Sequence, residues 1–183
     1  LFLAVFSLHA RPYESFLLDS IPVNAVDIEG ASNTDIATGI NVGLVVWREE
    51  PFNAVKACRV SPDFEPLDSV SIHLSDLNQG VGWRPRVASS GDRFLAVWTA
   101  GPIGNEWVAA ALVDETGKVL RTFKVDSSRY NDDKAEVAYD GYNFVVAWSQ
   151  YDMSSTRDLA YFHRVSVDGV ILDSLPRRIG TAF

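Results

Sequence analysis

The sequence predicts an all-β fold, a β-propeller or partial propeller of four-stranded antiparallel blades, and three observations predict it. DIATGINVGLVVW (Asp35 to Trp47), RVASSGDRFLAVW (Arg86 to Trp98) and EVAYDGYNFVVAW (Glu136 to Trp148) align without a gap, their tryptophans 51 and 50 residues apart. Self-similarity at that period is the mark of blades, solenoids or arrays. A second hairpin follows each copy: RVSPDFEPLDS (Arg59 to Ser69) matches RVSVDGVILDS (Arg164 to Ser174) at seven of eleven positions, and LVDETGKVL (Leu112 to Leu120) is a looser version. Finally, no stretch sustains a 3.6-residue period, whereas short β-branched and aromatic clusters recur between Gly, Pro, Asn and Asp.

Taken in order, Phe2-Leu3-Ala4-Val5-Phe6 reproduces Phe94-Leu95-Ala96-Val97-Trp98, so the chain is expected to enter a repeat at its second strand. The expected units are a partial blade over 1–32 that lacks its first strand, then blades over 33–82, 83–132 and 133–183, all in one repeat domain. In the last copy the four strands are predicted near 135–139, 143–150, 158–166 and 170–179. The second strand, Phe144-Val145-Val146-Ala147-Trp148, is apolar at consecutive positions, as expected of a strand buried on both faces. Its Trp supplies area to wedge neighbouring sheets apart. Asp168-Gly169 and Glu115-Thr116-Gly117 are hairpin turn chemistry. Copy one carries Phe64 where that turn glycine is expected. Copy two has Asp92-Arg93 after Gly91 and an inserted segment around Trp107. A propeller is preferred to a solenoid, whose shorter rungs do not need two hairpins per repeat; a sandwich array is the competing arrangement.

The aliphatic-Ala start, DGYNFVVAWSQ (Asp140 to Gln150) and DLAYFHRVSVDGVILD (Asp158 to Asp173) together resemble the propeller-type β repeats of ~50 residues found in large secreted or surface proteins of bacteria and archaea. The resemblance covers essentially the whole chain. It implies an extracellular or cell-surface address and says little about activity.

With 47% hydrophobic residues, the 183-residue chain can build a substantial core. Its net charge of −8 opposes binding to a phosphate backbone or an anionic membrane surface, so no nucleic-acid partner is expected. The longest apolar run, LFLAVF at the start, is far short of the roughly 20 residues of a spanning helix, so no membrane insertion is expected. That run lacks the basic flank and small-residue cleavage site of a signal peptide and reads as folded structure. A chain opening on Leu1 is expected to have had residues upstream. Its single cysteine, Cys58, has no partner for a disulfide within the chain and reads as a small buried hydrophobe.

Propeller ligands sit where the innermost strands start, which singles out Asp35, Arg86 and Glu136, equivalent in the repeat yet different in charge. They are the candidate ligand-binding residues at a channel mouth; the competing reading is a solvated rim of mutual ion pairs. Asp35 and Glu136 alone do not complete the acid pair of a glycosidase, so no catalytic residues are assigned. Trp83 and Trp107 lie outside the repeated Trp column and are candidates for stacking on a sugar, against a role packing beneath loops. The run from Asp126 to Asp133 is rich in oxygen ligands and raises calcium, but lacks a D-x-D-x-D-G spacing; no cofactor or metal is otherwise expected. His9, His73 and His163 fall at non-equivalent positions and read as structural or exposed.

The leading expectation is a secreted or cell-surface structural or adhesive module that self-assembles. Its partners would be other copies of itself, or a missing upstream segment, at the unpaired strand edge of Leu1–Leu8. A carbohydrate-binding propeller is the alternative, and a fragment of a glycan-active propeller enzyme the second alternative.

Overall fold

The computed structural model describes residues 31–50, 52–75, 82–126, 132–152 and 156–179. The partial blade predicted over residues 1–32, and the edge at Leu1–Leu8, lie outside the described residues but for its last two positions. Among the described residues there are twelve strands and no helix: β1 (Ala31–Thr38), β2 (Gly43–Glu49), β3 (Ala54–Val60), β4 (Ile72–His73), β5 (Trp83–Ser89), β6 (Arg93–Ala100), β7 (Trp107–Asp114), β8 (Val119–Lys124), β9 (Asp132–Tyr139), β10 (Phe144–Asp152), β11 (Arg157–Val165) and β12 (Arg177–Ile179). They form three antiparallel meanders, β1-β2-β3-β4, β5-β6-β7-β8 and β9-β10-β11-β12, which are three β-propeller blades. Packing between sheets is carried by β1 on β5 and β5 on β9, with β2 on β5 and β6 and β7 on β9 in support. The sheets are therefore closest at their first strands, as blades round an axis are.

The second strands of the first two blades each belong to two cores at once, whereas in β10 the expected burial on both faces is not met: Val145 and Ala147 are only half-buried. Leu44 and Val46 of β2 face the second blade, in one cluster with Phe94, Ala96 and Trp98 of β6. The alternate residues of β6, Leu95 and Val97, turn to the third blade and join Phe144, Val146 and Trp148 of β10. Val45 and Trp47 fill the opposite face of the first blade with Cys58 and Val60. The two-residue period of a strand thus accounts for the consecutive apolar positions. Trp47, Trp98 and Trp148 are all buried, at 8%, 0% and 3% exposure.

The outer hairpins show what the RVS…D signature does. Ser61 N–H donates to Glu65 C=O at 2.8 Å, as Ser166 N–H does to Val170 C=O at 2.8 Å. The last loop residue is in the left-handed region in both, Gly169 at φ 76° and Phe64 at φ 64°. The turn type survives without its glycine, at a cost of about 1–2 kcal/mol for a residue bearing a Cβ. Behind each turn, one aspartate clamps the strand: Asp68 Oδ2 accepts from Arg59 N–H at 2.7 Å while Oδ1 accepts from the Arg59 guanidinium at 2.6 Å, and Asp173 repeats this on Arg164 at 2.8 Å for both contacts. The Arg164 guanidinium, joined by Arg177, holds the Asp173 carboxyl well below the usual carboxylate range.

The strand limits differ from expectation at two places, each for a visible reason. Asn33, Arg84 and Lys134, equivalent in the repeat, have φ of 55°, 49° and 56° and sit where the register of β1, β5 and β9 shifts. Beyond this bulge the ladder resumes, with Asp132 opposite Gln150 and Asp133 opposite Ser149, so β9 starts at 132 and not 135. The outermost strand shrinks to Arg177–Ile179 because Asp173 takes the Arg164 N–H that a longer strand would use, leaving an isolated bridge between Val165 and Ile171.

Two substitutions test this arrangement. Trp98→Ala empties a fully buried site shared by two blades and is expected to cost about 3–5 kcal/mol in denaturant unfolding; an unchanged midpoint would refute the shared core. Phe64→Gly relieves a left-handed backbone at a half-exposed residue, so the protein should gain roughly 0.5–1 kcal/mol. A loss there would show that Phe64 packing outweighs its strain.

Candidate functional site

The equivalent trio lies two residues past the inner-strand bulges at Asn33, Arg84 and Lys134, opposite Val46, Val97 and Ala147 in the neighbouring second strands. Each of the first two reaches the next blade. Asp35 Oδ2 accepts from Val87 N–H at 3.0 Å, and Arg86 Nε donates to Glu136 Oε1 at 3.2 Å. Further joints lie toward the strand starts, where Gly82 N–H donates to Asn53 C=O at 2.9 Å and Asp132 N–H to Glu106 C=O at 3.3 Å. These contacts join first blade to second and second to third.

Between the second and third blades, at the starts of β5 and β9 and the mouths of the β6–β7 and β10–β11 hairpins, a cleft of about 420 Å³ opens. That volume is within the about 300–1,000 Å³ typical of small-molecule sites. Trp83 and Tyr151, 38% and 40% exposed, supply its aromatic surface. Arg84, Glu106, Asp132, Asp133 and Asp158 supply its charged groups, and Thr99 and Ser149 its hydroxyls. The Arg48 guanidinium of the first blade lies 4.3 Å from the Trp83 ring centroid, itself held by Asn53 and Glu50, so the indole is clamped in place from behind. Arg84 reaches Asp133 across the blades at 3.4 Å. Glu106 accepts from Gly104 N–H at 3.0 Å, which fixes its carboxylate.

Of the two predicted stacking residues, the structure brings Trp83 to the cleft and not Trp107. Trp107 opens β7, half-buried, with the Lys124 ammonium 3.7 Å from its ring centroid. Gly101 lies so close that a Cβ there would meet the indole at 2.5 Å. Tyr151, Asp158, Glu106, Thr99 and Ser149 were not singled out from sequence, because they lie at loop mouths that differ from copy to copy. Asp132 and Asp133 were in view only as members of the acidic run considered for calcium. Residues 127–131 of that run lie outside the described residues, and among the described residues no group of three or more acidic, His or Cys side chains is arranged to hold a metal.

Beneath the cleft is a buried polar cluster. Asp132 is fully buried and Asp126 nearly so; Gln150 Nε2 donates to Asp132 Oδ1 at 2.9 Å. Burial, with the neighbouring Asp126 adding to it, pushes the Asp132 carboxyl up to about 8, against the hydrogen bond from Gln150. The His163 ring packs on Trp148 at 5.6 Å, and burial lowers its pKa despite Asp126 and Asp173 nearby. His163 is thus structural, as read from sequence, and buried Cys58 has its thiol pushed up by desolvation.

No family model and no curated protein matches the sequence. Among solved structures, the chain is similar to a subtype N10 neuraminidase-like protein of A/little yellow-shouldered bat/Guatemala/060/2010, with a TM-score of 0.54 at 9% identity over 85% of this chain and 46% of that one. It is also similar to a glycoside hydrolase, with a TM-score of 0.52 at 16% identity over 88% of this chain and 39% of that one. The chain spans less than half the length of both. At such identities the likeness speaks for the fold, and the fold it speaks for is the propeller.

The acid beneath the cleft gives a pH test. A carboxyl whose folded pKa is raised from 3.8 to about 8 keeps a proton that the unfolded chain has released, so stability falls as pH rises through that interval. His163, lowered from 6.5, acts in the opposite sense, because its stabilising neutral form is lost as pH falls below 6.5. The interval from 6.5 to 8 therefore isolates the acid. Urea midpoints should fall across it, by at most about 1.4 kcal/mol per pH unit for one proton, and Asp132→Asn should flatten the fall. A rise with pH would overturn the assignment.

Proposed function

We propose that this chain is part of a glycan-active β-propeller, and that the cleft between its second and third blades binds carbohydrate. The observation that carries this is the pairing of two half-exposed aromatic faces, Trp83 and Tyr151, with carboxylates and hydroxyls gathered where the inner strands start and the second strands end. A sugar ring offers apolar C–H faces to stack on aromatics and hydroxyls to donate to carboxylates, and a cleft combining the two fits that chemistry. The similarity in fold to a glycoside hydrolase supports the reading. It replaces the adhesive, self-assembling role that the sequence put first. An extracellular address, implied by the repeat resemblance, is where a glycan binder would act.

In this proposal Asp35, Arg86 and Glu136 act as joints between blades, and recognition belongs to the cleft. A glycan array, followed by calorimetry on whatever oligosaccharide binds, tests both points. Trp83→Ala and Tyr151→Ala are each expected to weaken binding about ten-fold, which is ~1.4 kcal/mol, while Arg86→Ala leaves affinity within two-fold or so of the parent protein. Absence of binding to every glycan, or loss with Arg86→Ala and not with the aromatic variants, would overturn the proposal.

A further inference from the structure

The charges lining the cleft are unbalanced. Among the described residues that line it, Glu106, Asp133 and Asp158 stand against a single cation, Arg84, which leaves two carboxylates in excess. Asp132, beneath them, adds a carboxyl that burial keeps protonated at neutral pH. The whole chain carries −8, so the surrounding field has the same sign and concentrates cations at the cleft. An independent feature marks the wall: Thr99, 3% exposed, lines the cleft and has its Oγ1 buried without a hydrogen-bond partner among the described residues. A buried hydroxyl without a partner is costly, and a ligand hydroxyl or N–H would satisfy it.

Resting on the carbohydrate reading above, we infer that the cleft selects glycans bearing a free amine, that is, amino sugars in their ammonium form. The aromatic faces of Trp83 and Tyr151 take the ring, Thr99 pairs with a ring substituent, and Glu106 and Asp158, the carboxylates that Arg84 does not engage, receive the ammonium in charge-assisted hydrogen bonds. Acidic sugars, which need arginine forks, are disfavoured, because the one arginine of the cleft is already paired with Asp133 at 3.4 Å.

The test compares three probes on the intact chain by calorimetry: fully deacetylated chito-oligosaccharide, its N-acetylated counterpart, and a uronic-acid oligosaccharide of similar length. The deacetylated probe should bind at least about ten-fold tighter than the N-acetylated one, and added salt should narrow the gap. The double substitution Glu106→Gln with Asp158→Asn should abolish the gap while retaining the N-acetylated probe. The control, Asp63→Asn with Glu65→Asn, removes the same charge at an exposed turn of the first blade, outside the cleft, and should preserve the gap; if it erases the gap instead, attraction by overall charge is the cause and the inference fails. Equal affinity for the first two probes, or preference for the uronate, would overturn the inference and leave carbohydrate binding standing. Failure of all three probes and of every arrayed glycan would overturn the carbohydrate reading itself.

Discussion

The two larger cores of the described residues are each shared between neighbouring blades. A single four-stranded sheet has two faces to cover, and the second strand divides its apolar residues between them: Phe94, Ala96 and Trp98 go to the first blade, Leu95 and Val97 to the third. The stability of each sheet is thus largely the stability of its contacts with neighbours, as in other repeat architectures. The rest follows from this constraint. Inner strands must come close, so their register has to adapt, and the bulges at Asn33, Arg84 and Lys134 are where it does. Outer strands are left with little to pack on and are held by local polar clamps instead.

Those clamps show how a repeat tolerates substitution. In the outer copies Arg59 with Asp68, and Arg164 with Asp173, close the second hairpin. In the middle copy the equivalent positions are Leu112 and Arg121, so anion and cation have both gone from their places together. Asp114 takes over the turn, accepting from Thr116 and Lys118 N–H at 2.9 and 3.0 Å, where Ser61 and Ser166 serve in the other copies. Arg121 keeps one function of the lost clamp: it donates to Gly169 C=O of the next blade at 2.9 Å, as Arg59 donates to Glu115 C=O at 3.3 Å. What is maintained is a guanidinium bridging each blade to the next turn, and its position along the chain is free to move.

This explains which parts were legible in the sequence. The Trp column and both hairpins could be read because burial on two faces and positive φ restrict residue type at fixed spacing. The inner-strand bulge could not, since Asn33, Arg84 and Lys134 share only an exposed, left-handed backbone that demands no common side chain. The Arg–Asp clamp was visible as repeated letters but read as turn chemistry, because its nine-residue separation has no meaning until the hairpin closes. For the site, equivalence in the repeat and the cleft single out different residues. The first selects Asp35, Arg86 and Glu136, which share a register and bond neighbouring blades together, whereas the cleft is lined at positions where the copies differ.

The cleft itself arises from such a difference. Arg48 and Thr99 occupy the same place after the second strand starts toward its loop, and Trp83 and Asp133 the same place at the start of the next inner strand. Between the first and second blades this pair is Arg48 and Trp83, whose side chains stack at 4.3 Å and fill the space between the sheets. Between the second and third blades the pair is Thr99 and Asp133, two short side chains in place of two of the longest. The volume they fail to fill is the cleft, and the Thr99 hydroxyl left without a partner is what remains where an arginine would have reached across. The blade-to-blade framework is unchanged, because the bonds from Gly82 to Asn53 and from Asp132 to Glu106 hold both junctions alike. A repeat fold can therefore open a site at one junction while the neighbouring junction stays closed. The same Trp83 stacks under Arg48 at the first junction and lines the cleft at the second.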